Sequence, residues 1–250
     1  MGGANRVVVV TGAASGMGLG ISQRFAHNGH PVAMLDVQEQ ALEAESAALK
    51  AAGARILARR ADVSSRADVQ SAYSAVREAF GPISIVIANA GISNAQSFVS
   101  MSFETWQRMI DVNLTGVFHT IQAALPDMIE SKWGRIVTIS SNAAQSGAAD
   151  RAHYAAAKGG VIGLTKALAR ELAGHGITVN TIPPALVDTP LARAGVLSGE
   201  VPPLEVIAQH IPIARPGTPQ DIADACEFLC SDKASYITGQ QINVNGGMYM

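Results

Sequence analysis

The sequence predicts an α/β fold: one domain spanning 1–250, built on a doubly wound parallel sheet of about seven strands with helices on both faces. Two observations carry this expectation. Apolar runs of strand length alternate with longer helical patterns along the chain, as βαβ units require. A glycine-rich loop also joins the first apolar run to the first helical pattern, and an aspartate ends the second run. With 250 residues, 48% hydrophobic and 15% charged, the chain has enough apolar material for a sizeable core. No linker, internal repeat or low-complexity tract divides it.

The elements follow in a regular order. Residues 6–11 read as a first strand, 17–28 as a helix, 31–36 as a second strand and 38–52 as an alanine-rich helix. Strands three and four fall at 54–61 and 83–88, around a helix at 66–80, and the turns between them carry Asp, Gly and Pro. A long helical region covers 103–131. A strand at 135–140, a helix at 153–175 and a strand at 178–182 come next, and Pro183 and Pro184 stop regular structure. From 185 to about 203 the composition shifts to Pro, Gly, Ala and Ser with little periodicity, which reads as a mobile cover over a site, or else as a surface insertion. A helix near 219–230 and a final strand at 241–245 complete the expected seven strands.

Charge and composition exclude several classes. The net charge is -2 and the arginines are scattered, so no nucleic-acid partner is expected. No apolar stretch reaches the roughly 18 residues of a membrane span, and the start of the chain has no signal-peptide core, so a cytoplasmic protein without membrane attachment is expected. Cys226 and Cys230 sit on one face of a helical pattern and read as buried, reduced thiols. The six histidines are dispersed, and no metal site is expected.

The loop Thr11-Gly12-Ala13-Ala14-Ser15-Gly16-Met17-Gly18 opens the first helix, where unpaired N–H groups and the helix dipole favour a phosphate. Gly12, Ser15, Gly16, Met17 and Gly18 are therefore cofactor-binding candidates in a Rossmann-like sheet. The spacing is Gly-x-x-x-Gly-x-Gly, not the commoner Gly-x-Gly-x-x-Gly. Asp36 ends the second strand about 20 residues on, where a carboxylate accepts hydrogen bonds from both adenosine ribose hydroxyls. It would repel a 2′-phosphate, and no arginine or lysine in the glycine loop or directly after Asp36 offsets it, so NAD is the expected cofactor. A helix N-cap is the other reading of Asp36.

Tyr154 and Lys158 stand one helical turn apart, so both side chains leave the same helix face. A phenol with a pKa of about 10 is a poor base near neutrality. Lowering it by two to three units needs roughly 3–4 kcal/mol, and a unit charge about 4 Å away supplies about 4 kcal/mol at an effective dielectric of 20. A lysine beside the phenol, with a nicotinamide on its other side, would let Tyr154 exchange a proton with an alcohol or ketone. The pair by itself could equally be a solvated helix face.

Over nearly its whole length the chain resembles the short-chain dehydrogenase/reductase family. The resemblance rests on Thr11-Gly12-x-x-x-Gly16-x-Gly18, Asp62-Val63, Asn89-Ala90-Gly91, Asn113, Ser141, Tyr154-x-x-x-Lys158, and Asn180 followed by Pro184. It implies a catalytic tetrad of Asn113, Ser141, Tyr154 and Lys158. Tyr154 would be the acid/base, Ser141 would bond the substrate oxygen, Lys158 would tune the tyrosine and bind the nicotinamide ribose, and Asn113 would hold a relay water. Asp62 and Val63 would contact the adenine, Asn89 the adenosine side, and Val187 and Thr189 the carboxamide and phosphate region. Each residue has a plainer reading, such as a helix-interior bond for Asn113, a strand-end cap for Ser141 and a turn for Asp62. Two positions depart from the family pattern, Ala88 for Asn and Ala185 for Gly, the second beside the expected nicotinamide pocket.

The C-terminal segment and the residues around Tyr154 look like the 3-oxoacyl thioester reductases of the family. Those enzymes often use NADP, whereas Asp36 points to NAD. Secondary alcohols or hydroxysteroids stand as alternative substrates, because Leu191, Val196, Leu197, Met101 and Phe98 are apolar. Arg151 and Arg193 could reach an anionic acyl carrier tail or remain solvated. A non-catalytic NAD-binding scaffold is the alternative from another class. Family members form tetramers through long central helices, which implies a homotetramer.

Overall fold

Strands rich in valine and isoleucine bury both faces, as a parallel sheet covered by helices demands. The computed structural model describes residues 5–250, and residues 1–4, at the start of the expected domain, lie outside them. The strands are β1 (Val7–Thr11), β2 (Val32–Asp36), β3 (Ile56–Arg60), β4 (Ile83–Ala88), β5 (Gly134–Ile139) and β6 (Ile177–Ile182). All pair in parallel in the order β3-β2-β1-β4-β5-β6. Every residue of β1, β2, β5 and β6 is buried, whereas edge strand β3 ends in exposed Arg59 and Arg60. Charge on an edge strand discourages pairing with another chain.

The helices are α1 (Gly16–His27), α2 (Glu39–Ala51), α3 (Arg66–Phe80), α4 (Phe103–Ile110), α5 (Gly116–Ser131), α6 (Ala143–Ser146), α7 (Ala152–Leu172), α8 (Pro190–Leu197), α9 (Leu204–Ala208) and α10 (Pro219–Cys230). Alternate strand residues serve opposite faces. Val7 and Val9 join a core with residues of α3, α5 and α7. Val8 and Val10 join another with residues of α1, α2 and α10, including buried Cys226 and Cys230. The β1-to-β4 step, where the strand order reverses, opens a crevice at the carboxyl ends of the strands.

Three expectations need correction. The sheet has six strands rather than seven. Gln241 makes one parallel bridge to Thr181, flanked by backbone bonds from Gly239 N to Val179 O, Thr181 N to Gln240 O and Ile242 N to Thr181 O. The Asn180 side chain adds a bond to Ile237 O and one from Gln240 N, but the contact does not extend into a strand. The expected cover at 185–203 contains a helix. Thr189 caps α8 by accepting from Ala192 N at 3.2 Å, and Pro190 fills its first turn, a start signal hidden by the small-residue composition. The long helical region at 103–131 is interrupted by a π turn, Asp111–Thr115, between α4 and α5. Among the described residues no helix is long and apolar enough to cross a membrane.

Candidate active site

The glycine loop leaves β1 and turns directly into α1. Ala13 N donates to Leu35 O and Ala14 N to Asp36 Oδ2, which ties the loop to the end of β2. The other Asp36 oxygen accepts from Gln38 N at 2.9 Å. A Cβ on Gly18 would lie 2.0 Å from the Gly12 carbonyl oxygen, so only glycine permits this turn. Ser15 occupies the N-cap position of α1 with its side chain making no cap bond. Its hydroxyl is thus available to the cleft, as are unpaired N–H groups of the helix start.

That cleft, about 540 Å³, brings together Gly12, Ser15, Gly16, Met17, Asp36, Asp62, Val63, Asn89 and Thr189. Nine of the expected cofactor-binding residues therefore line one space. Gly18 packs against Gly12 and Asn89 of its wall, Val187 and Tyr154 line the adjoining cavity instead, and Lys158 lines neither. Asn89 holds the loop by donating to Thr11 O and Gly12 O, and its buried Oδ1 accepts no bond. Burial works to raise the pKa of Asp62, but bonds from the Ser64 hydroxyl and N–H and the nearby Arg108 lower it overall. Arg108, 3.7 Å from Asp62, also lines the cleft. Sequence reasoning missed it because it arrives from α4, with no local signal linking it to Asp62.

The second cavity, about 690 Å³, shares Met17, Ser93, Thr189 and Leu191 with the cleft and holds Ser141 and Tyr154. Ser141 follows the end of β5 and accepts from Ala143 N, the strand-end role that its plainer reading allowed, while still lining the cavity. Tyr154 is half-buried in the first turn of α7. Burial pushes its pKa up, and the Ser141 hydroxyl and the Arg151 guanidinium pull it down. The Lys158 ammonium, expected to lower it as well, is turned toward the end of β5. The ammonium donates to Ile139 O at 2.8 Å, 5.9 Å from the tyrosine ring centroid, and burial lowers its pKa to about 8.

Asn113 sits in the π turn, fully buried, and donates to Ile92 O and Met109 O while its Oδ1 accepts from Ile92 N. A π turn swings one residue out of helical register, a device frequent at functional sites. A Cβ on Gly91 would come within 2.6 Å of Asn113 Oδ1 and 3.3 Å of Lys158 Nζ, so that glycine keeps open the space that both side chains border. Asn113 and Lys158 thus border one space beside Gly91, while Ser141 and Tyr154 line the second cavity. Val187 forms a bridge with Gly217, and Thr189 packs on Gly16, so the start of α8 rests on the glycine loop. Ala185 lines the substrate-side cavity.

Of the two candidate tail-binding arginines, Arg193 is exposed and forms a two-pronged pair with Asp188. Arg151 lines the cavity but already faces Ser93 and Glu200. Among the described residues no group of three His, Cys, Asp or Glu side chains gathers as a metal site would require.

Residues 12–249 match the family described as enoyl-(acyl carrier protein) reductase. The 3-oxoacyl-[acyl-carrier-protein] reductase of Staphylococcus aureus is 41% identical over 97% of both chains. The chain belongs to the short-chain dehydrogenase/reductase family. Among solved structures, an actinorhodin polyketide ketoreductase variant with NADPH superposes with a TM-score of 0.94 at 35% identity, covering 98% of this chain and 97% of that one. A glucose/ribitol-type dehydrogenase of the family from Brucella melitensis gives 0.90 at 37% identity, covering 98% and 97%.

The enzyme is accordingly an oxidoreductase of this family, acting on CH–OH groups or their carbonyl counterparts with a nicotinamide cofactor. The cleft fits such a group. Its glycine turn admits a close backbone approach, the free N–H groups of α1 suit a pyrophosphate, and the buried Asn89 Oδ1 in its wall is left without a partner.

Proposed function

We propose that the enzyme interconverts a secondary alcohol and a ketone with NAD(H), with 3-oxoacyl thioesters of acyl carrier protein or coenzyme A as its substrate class. One observation carries the reaction: the hydroxyl-bearing Ser141 and Tyr154 line one cavity that is continuous with the dinucleotide cleft. When bound, the nicotinamide supplies or accepts a hydride. Ser141 holds the carbonyl oxygen as charge develops on it, and Tyr154 delivers a proton to that oxygen or removes one from the alcohol. Lys158 binds the ribose and supports the phenol from behind, and Asn113 orders a relay water beside it. Two hydroxyls that converge on one cavity favour chemistry at an oxygen, so we read the carbonyl reductases as better guides than the enoyl reductase description.

The relatives named as 3-oxoacyl reductases support the thioester. The apolar walls, among them Leu186, Val187, Leu191 and Met248, also suit a secondary-alcohol or hydroxysteroid substrate. For the cofactor, Asp36 is 7% exposed at the cleft and spends its two oxygens on Ala14 N and Gln38 N, which fixes an anion where a 2′-phosphate would lie. This local charge outweighs the NADPH bound by a ketoreductase relative at 35% identity. We read the enzyme as a cytoplasmic homotetramer.

The test is Tyr154→Phe, assayed with acetoacetyl thioester and with NADH and NADPH in parallel. The parent chain should prefer NADH by at least about tenfold in kcat/KM, equivalent to about 1.4 kcal/mol. The variant should bind NADH nearly as before while losing turnover by a factor of about 100 or more. Retained turnover would defeat the acid/base role, and equal use of both cofactors would defeat the role of Asp36.

A further inference from the structure

The cavity that contains Ser141 and Tyr154 has one charged pair in its wall, and that pair joins the lid to the catalytic helix. Arg151 immediately precedes α7, three residues ahead of Tyr154, so the two side chains leave neighbouring positions with Cβ atoms about 5–6 Å apart. Its guanidinium donates to Ser93 Oγ and lies 3.6 Å from the Glu200 carboxylate. Glu200 stands three residues beyond α8, in the lid, and the same oxygen accepts from Ala95 N at 3.1 Å. Two further bonds join the same segments. Asn94 Oδ1 meets His153 Nε2 at 3.3 Å, and Gln96 N donates to Asp150 O at 2.7 Å. The loop after β4 is thereby fastened to the start of α7, and one carboxylate pins the lid to both.

We propose that Glu200 is the latch of the lid and that Arg151 is a positioning residue whose charge favours the ionised form of Tyr154 when the latch leaves it. The proposal rests on the reading of Tyr154 as the acid/base. Arg151 and Glu200 are the only Asp, Glu, Lys, Arg or His residues among the described residues of the cavity wall. The other candidates are accounted for, element by element. On α7, Lys158 turns to Ile139 O, and His153 is buried, with burial and Arg151 both lowering its pKa. In the lid, Asp188 and Arg193 neutralise each other. Ser93, Asn94 and Ala95 after β4, Ser141 and Asn142 after β5, and Met248 near the C-terminus carry no charge. Burial raises the pKa of the phenol, and the Ser141 hydroxyl and then the Arg151 guanidinium lower it even with Glu200 seated beside Arg151.

A carboxylate 3.6 Å from a guanidinium turns a lone charge into a short dipole, whose field fades faster with distance. With the latch seated, the pull of Arg151 on the phenol is weakened, which favours the protonated form that reduction of a carbonyl needs. With the latch withdrawn, the bare guanidinium makes ionisation easier, the form that alcohol oxidation needs. Lid position and proton state are coupled without any contact between Glu200 and the phenol.

The test is a stopped-flow pH-jump titration of phenolate absorbance on the full chain, read before alkaline unfolding. Each protein is compared with its own Tyr154→Phe counterpart, so that Tyr73, Tyr236 and Tyr249 cancel. Arg151→Gln should raise the Tyr154 titration midpoint by roughly half a unit to one unit, and Arg151→Lys should return it. Glu200→Gln, a half-exposed lid substitution that leaves the core untouched, should lower the midpoint, and added salt should shrink that shift. An unmoved midpoint in Arg151→Gln, or a lysine that fails to restore it, would overturn the role of Arg151. An unmoved midpoint in Glu200→Gln would overturn the latch. Neither result depends on turnover, so the acid/base reading stands or falls separately on the activity of Tyr154→Phe.

Discussion

Lys158 is 3% exposed, and its one hydrogen-bond acceptor is the Ile139 carbonyl oxygen. An ammonium without a carboxylate partner is costly to bury, which is why its pKa falls to about 8. Such a residue is kept for function at the expense of stability. Lys158→Met should therefore raise the unfolding free energy near neutral pH by on the order of 1 kcal/mol, read by chemical denaturation, while activity is lost. The pH dependence has a definite sign. Because the folded value lies below the ordinary 10.5, the unfolded chain holds the extra proton between about 8 and 10.5, and the lysine's contribution to stability rises with pH across that window. The advantage of the methionine variant should shrink as pH climbs through it, and a constant difference would contradict the burial argument. The Tyr154–Lys158 spacing was legible because helical periodicity is local. The direction of the ammonium was not, since the carbonyl that captures it belongs to the end of β5.

At the scale of elements, α10 supports the cofactor loop from behind by packing on α1. Its start is a capping box: Thr218 accepts from Asp221 N, Asp221 accepts from Thr218 N, and Arg215 clamps the same carboxylate. The Arg215 bond holds the Asp221 carboxyl far below its usual range, with Thr218 adding to the effect. Thr218→Ala should cost about 1 kcal/mol and lower Tm by roughly 2–4 °C in calorimetry, with Thr218→Ser recovering most of it. Helices of this kind were visible in the sequence because their apolar residues recur with the right period and their caps are adjacent residues. The lid helix α8 escaped detection although Thr189-Pro190 is a start signal, because its residues are mostly small or apolar and none is buried. The seventh strand failed for another reason. Apolar alternation at 241–245 is compatible with a strand, but its backbone bonds to β6 stop at Ile242 and leave a single bridge at Gln241.

For the molecule as a whole, the reversal of strand order between β1 and β4 sets the cleft, and the start of α8 on Gly16 joins that cleft to the cavity that holds Ser141 and Tyr154. Exposed Phe103, Phe118 and Ile129 leave apolar surface on α4 and α5, while Tyr236 and Met250 do so near the C-terminus. Burying these faces between copies fits the proposed tetramer, and light scattering should give four times the 25.9 kDa chain mass. A monomer would refute that assembly. By itself the sequence determined the alternation of strands and helices, the glycine turn, the acidic end of β2 and the Tyr154–Lys158 pair, because each depends on residues close together along the chain. Only the tertiary structure decided that Arg108 meets Asp62, that Lys158 faces Ile139, and that Glu200 closes on Arg151. Those contacts join residues 19 to 49 positions apart, and their geometry is set by how layers pack rather than by any local pattern.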